Sequence, residues 1–172
     1  MSDFELTAAE LRIVAGFALS SAEPLLPSFE AVAPDDPRPR AAIEAARVFV
    51  EGADRSRLQR VTATEAHRAA RDVDDEVAAL AARAAAEAAA AAYLHPIARA
   101  SQVGHVLRAT ACAARIAELR DHTAHALLME SVEGASPELV DVLLRYPRAP
   151  RGRDRVAQLM SELDDMLRGG AS

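Results

Sequence analysis

A chain of 172 residues, about half of them apolar, is long enough to bury one substantial core. Its formal charge of −6 argues against a general nucleic-acid binder, which needs a basic surface. Its one cysteine, Cys112, excludes an internal disulfide framework, and all twenty of its basic residues are Arg.

Leu6-Thr7-Ala8-Ala9-Glu10-Leu11 opens the first element. Thr7 and Glu10 stand three apart as a capping box, and Leu6 and Leu11 occupy the staple positions. Leu11, Val14, Ala15, Ala18 and Leu19 then form one helical stripe, which Pro24 and Pro27 stop not far past Ser21. Residues 33–40 read as a loop ending in Asp36 at an N-cap and Pro37 at a first helical position. Ile43, Ala46, Phe49 and Val50 give the next buried face, and Gly52 ends it. A third helix is expected to start near Thr62 or Thr64 and to carry Ala66, Ala69 and Ala70. A break at Arg71–Asp75 is left open. Val73, Val77, Leu80, Ala84, Ala88 and Ala91 then recur at spacings of three and four, up to Pro96. Further helices are expected over about 97–120 and 122–133, and from Ser136-Pro137-Glu138 to Tyr146-Pro147. A last amphipathic helix carries Val156, Leu159, Met160, Leu163, Met166 and Leu167, and Gly169-Gly170 ends it.

No segment alternates as a strand does. The expected fold is all-α: one helical domain over 1–172, ordered over about 6–168, with seven to eight helices around a close-packed pair of Ala-rich helices. The 84–98 stretch comes nearest to a membrane span but is interrupted by Glu87, His95 and Pro96. Asp3, Glu5 and Glu10 stand where a signal peptide would carry bases. A cytoplasmic protein without a membrane partner is expected.

Candidate sites are few. His122 and His125 share one helical face at i, i+3, but Thr and Ala lie between them and only Asp121 offers a third ligand, so no metal is expected. His95 and His105 flank the loop between the two small-residue helices, with Tyr93, Arg99 and Gln102 nearby. Antiparallel packing gathers these groups at one end of the pair, where they suit an anion or a partner's carboxylate. The plainer reading has both histidines bonding carbonyls at helix ends. His67, alone on an Ala-rich face, reads as structural. Asp72, Asp74, Asp75 and Glu76 form the densest acidic patch, suited to a basic cleft. They equally complement the N-terminal dipole of the helix that follows. Arg148, Arg151, Arg153 and Arg155 make a basic loop without interleaved aromatics, and acids nearby neutralise it. Cys112 has no His neighbour, and neither a nucleophile elbow nor a phosphate loop occurs. No catalytic residue and no cofactor is expected.

The segments DPRPRAAIEAARVF, AAYLHPIARASQVGHVL and LLRYPRAPRGRDRVAQLMSELD resemble a family of small helical actinobacterial proteins, the immunity-five-like proteins of bacterial polymorphic-toxin systems. The likeness runs from about residue 6 to residue 168. It implies a cytoplasmic helical protein that neutralises a cognate toxin by binding it, without catalysis, and it transfers no functional residue. Two other classes stay open. One is a small-ligand or metal-dependent helical enzyme using the His95/His105 region. The other is a structural adaptor that self-associates through its Ala-rich helices.

Overall fold

The computed structural model describes residues 3–121 and 123–169, and within them the regular structure is helical throughout. Helix α1, Ala8–Ala22, begins on the expected capping box: Thr7 Oγ1 accepts the Glu10 N–H at 3.1 Å, and the Glu10 carboxylate accepts the Thr7 N–H at 2.7 Å. A 3₁₀ turn containing Pro24 leads into the five-residue α2, Leu26–Glu30. Helix α3, Arg38–Val50, starts one residue later than the sequence suggested. Pro37 takes the cap position, and Asp36 reaches past it to accept the Arg38 N–H at 3.1 Å. Gly52, at φ +118°, turns the chain out of α3, a conformation glycine adopts without a Cβ clash.

Helix α4, Arg57–Asp72, begins well before the expected Thr62. Ser56 and Gln59 form a capping box there, and the Gln59 side chain also donates to the Ala45 carbonyl at 3.1 Å, pinning the start of α4 to α3. The open question at 71–75 resolves as a break. Val73 is extended, and Asp75 caps the next helix by accepting the Ala78 N–H at 2.8 Å. Helix α5, Glu76–Ala90, passes through a 3₁₀ turn at Ala91–Tyr93. Helix α6, Val103–Leu119, starts after a 3₁₀ turn at Ala100–Gln102, not near residue 97, because residues 95–98 are held as a loop by distant groups. Asp3 bonds the Pro96 carbonyl and the Ala98 N–H, and the Tyr146 hydroxyl donates to the His95 carbonyl at 2.9 Å. Helices α7, Ala124–Glu133, α8, Pro137–Leu144, and α9, Arg155–Gly169, complete the chain.

The centre of the molecule is α5. Ten of its fifteen residues are buried, eight of them alanines. Alanine has the highest helix propensity and the smallest side chain that keeps it, so the segment forms a helix readily and lets neighbours approach on every side. Helices α1, α2, α3, α4 and α6 pack around it, and α9 and α7 lie against α6. The small-residue helices α5 and α6 therefore meet within one chain. Bulk comes from the surrounding elements: Phe29, Phe49, Leu107, Ile116, Leu143 and Leu163 are fully buried. Each such side chain contributes roughly 2–3 kcal/mol of burial.

Among the described residues every buried side-chain polar atom has a partner. Thr110 Oγ1 and Ser21 Oγ join α6 to α1 at 2.8 Å. Asp164, buried on α9, accepts from Arg168 Nε at 2.7 Å and from the Ala149 N–H at 3.0 Å, which holds the 145–150 segment against α9.

Candidate functional site

The acidic residues at the turn between α4 and α5 are mostly engaged in holding the fold. Asp72 pairs with Arg38 at 2.8 Å, Asp75 caps α5, and Glu76 pairs with Arg115 of α6 at 3.1 Å. Asp74 is exposed and bonds no other residue among those described. The patch exists as a surface feature, and Asp74 is its free member.

The His95/His105 end is divided between separate contacts. Tyr93 donates its hydroxyl to the Ser56 carbonyl at 2.7 Å, and the guanidinium groups of Arg55 and Arg60 lie over its ring. Gln102 accepts the His95 N–H at 2.9 Å, while the His95 side chain and Arg99 are exposed. His105 faces into the α5–α6 contact and bonds Glu87. Neither histidine bonds a helix-end carbonyl through its ring. In the His122/His125 pair, His122 lies outside the described residues and His125 is exposed on α7. In the basic loop, Arg148 pairs with Asp165 and Arg155 with Glu118 and Glu162, whereas Arg151 and Arg153 are exposed. Cys112 is fully buried on α6, and burial pushes its thiol up to about 12.

The most distinctive polar arrangement centres on Glu87, which the sequence reading treated only as an interruption. It sits on the buried middle of α5 with 2% of its side chain exposed. His105 Nδ1 lies 3.0 Å from one carboxylate oxygen, and Arg108 Nη1 donates to the other at 2.8 Å. Both come from α6, one turn apart, so they reach the same point on α5. His67 of α4 brings Nε2 to 3.8 Å from Glu87 Oε1. Burial alone would raise the Glu87 carboxyl, but the His105 hydrogen bond and the Arg108 charge outweigh it and hold the group below the usual carboxylate range. His67 shifts toward its neutral form. Burial is the main cause, and Arg83, Arg108 and Arg71 reinforce it against the opposing pull of Glu87.

This cluster opens outward. A cleft of about 370 Å³ is lined by His67 and Arg71 of α4, Arg83 and Glu87 of α5 and Arg108 of α6. A more apolar cleft of about 440 Å³ lies between α1, α6 and α7, with Phe17, Leu25 and Leu127 on its walls and Glu130 as its one titratable group. The signal that could have exposed the Glu87 cluster is local. Glu76, Arg83 and Glu87 recur at spacings of seven and four, so they share one face of an otherwise apolar helix, and Glu87, the buried one, must meet counter-charges on neighbouring helices.

The chain belongs to the family described as "Imm-5 like putative immunity protein", whose family model matches residues 5–100. That match takes in α1 to α5, with Glu87, His67, Arg71 and Arg83, and ends before His105 and Arg108. The likeness expected to run on to about residue 168 is shown by the family model only as far as residue 100. Neither a curated protein nor a solved structure matches the chain. No helix among the described residues is long and apolar enough to cross a membrane.

Proposed function

We propose that this protein is a non-catalytic immunity protein that acts in the cytoplasm, binds a cognate bacterial toxin and neutralises it by occluding its working surface. The observation that carries the reading is the family membership over residues 5–100. Two surfaces support contact with a protein. One is the acidic corner of Asp72, Asp74, Asp75 and Glu76, complementary to a basic cleft. The other is the end formed by Tyr93, His95, Arg99 and Gln102, where a half-exposed aromatic lies among polar groups. His105 supports this end from inside, through Glu87.

The test is capture of the tagged protein's partner from its host at low and moderate salt, followed by expression of that partner with and without this chain. A partner that arrests growth alone and is silenced by co-expression is the expected result. A partner without toxicity, or toxicity undiminished by co-expression, overturns the reading. Within it, Asp74→Arg is the cleanest probe of the acidic corner, because Asp72, Asp75 and Glu76 also hold the fold. It should weaken binding and flatten its salt dependence; unchanged affinity removes that corner from the interface.

A further inference from the structure

The cleft beside Glu87 holds more positive charge than the fold uses. Arg108 is matched, since its guanidinium bonds the Glu87 carboxylate at 2.8 Å. Arg71 and Arg83 line the same cleft, from α4 and α5, and neither makes a hydrogen bond or ion pair with any described residue. Many other arginines of the chain do hold a carboxylate: Arg38, Arg115, Arg145 and Arg155 each tie two elements this way. Arg57, Arg99, Arg151 and Arg153 are unmatched too, but they line none of the clefts described above. Arg71 and Arg83 differ because they face a shared concavity from two helices.

The chemistry of that concavity selects a negative guest. A cation would meet three guanidinium groups there, and the one carboxylate is already engaged by Arg108 and His105. An apolar guest would bury Arg71 and Arg83 unpaired, which is costly. A planar guanidinium presents forked N–H donors that match the oxygens of a carboxylate or phosphate. The floor is rigid: α5 is packed against α1, α2, α3, α4 and α6, and Glu87 holds Arg108 from moving away. A volume of about 370 Å³ admits one such group with its bridging waters.

We propose that the cleft formed by His67, Arg71, Arg83 and Arg108 is an oxyanion-binding site, taking a single phosphate or carboxylate group between Arg71 and Arg83. Arg71 and Arg83 clamp the oxygens from two sides, and Arg108 supplies the third positive charge from the floor. The site stands independently of toxin binding, since it needs only this chain.

The probes are inorganic phosphate and acetate, added to the purified full chain at constant ionic strength, with binding read by calorimetry and by thermal unfolding. Saturable heat and a rise in melting temperature with at least one anion are expected. Arg83→Gln and Arg71→Gln should each weaken that binding about tenfold, the loss of one charge-assisted contact. Both arginines are exposed, so these variants should retain the fold. Arg57→Gln serves as the control. It removes the same charge from the far end of α4, about 20 Å away at 1.5 Å per residue, and should leave binding unchanged. A response to phosphate alone assigns a phosphorylated ligand, and a response to acetate assigns a carboxylate. The absence of saturable binding by either anion overturns the proposal. So does an equal loss in Arg57→Gln, or an unchanged affinity in both Arg83→Gln and Arg71→Gln.

Discussion

Glu87 and Gly104 explain each other at the scale of single residues. A Cβ built on Gly104 would stand 2.6 Å from Arg108 Nη2 and 2.9 Å from its Cζ, so the guanidinium that grips Glu87 lies flat over the glycine. Gly→Ala within a helix ordinarily adds up to about 1 kcal/mol of stability. Here Gly104→Ala should instead cost about 1 kcal/mol, because Arg108 must leave a charged hydrogen bond to make room. In an Arg108→Ala background the same substitution should become stabilising, and a double-mutant cycle by urea unfolding checks the reversal. Glu87→Gln should cost about 3 kcal/mol, the low end for breaking a buried pair, since Arg108 and His105 are each about a third exposed and can rehydrate. The folded-state carboxyl is held below its ordinary value of about 4.5. Its contribution is therefore complete above that pH and is lost as pH falls through the lower folded value. Glu10 follows the same sign. The Arg145 hydrogen bond, with that of the Thr7 backbone, lowers it to about 2, so its share is lost between about 4.5 and 2. Urea midpoints measured from pH 6 downward should fall steeply in the native chain and less steeply in Glu87→Gln. Little of this was legible in the sequence. The sequence shows Glu87 within an alanine run, but its partners lie at positions 67, 105 and 108, on two other helices, and no spacing rule connects them.

Helices were more legible than their contacts. The capping box at Thr7, the Ser136-Pro137 start and the apolar spacing of α9 are local signals, and local chemistry decides them. The late expected start of α4 had a local cause as well. Ser56 and Gln59 carry a valid capping box, but in the turn they open, Arg57–Val61, the apolar Leu58 and Val61 are exposed and give no inward stripe to follow. The early expected start of α6 had a different origin. Residues 95–98 stay out of the helix because Asp3, Gln102 and Tyr146, from three parts of the chain, bond their backbone. Alanine has opposite consequences in α1 and α5. Gly16 has room for a methyl, with Val50 Cγ1 3.7 Å from the ideal Cβ, so Gly16→Ala should stabilise α1 by about 0.5–1 kcal/mol. Ala88 on α5 is completely enclosed, and Ala88→Leu should cost about 3 kcal/mol or more through overpacking. Thermal melts of the two variants should move in opposite directions.

At the scale of the whole molecule, Cys112 reports on the integrity of the core. It lies on α6 without exposure, and its thiol is pushed up to about 12 by burial. Reaction with a thiol-specific reagent at pH 8 should be undetectable in the native state and should track unfolding in denaturant; rapid labelling of the native chain would show that α6 separates from α5 on its own. The all-α class was legible because helical periodicity is local. The placement of α5 at the centre was not, because an Ala-rich segment reads equally as a surface helix, a dimer face or a buried hub, and only the elements packed around it decide. That placement also bears on the order in which the protein is built. A nascent chain that has reached residue 100 holds α1 to α5 but none of α6, so one side of the central helix has no cover while synthesis continues. The loop at 95–98 is likewise waiting for Tyr146, and Glu10 for Arg145. The stretch that the family model matches thus leaves α5 without the neighbour that α6 provides. Closing that side of α5 waits on α6, and fixing the 95–98 loop waits on Tyr146.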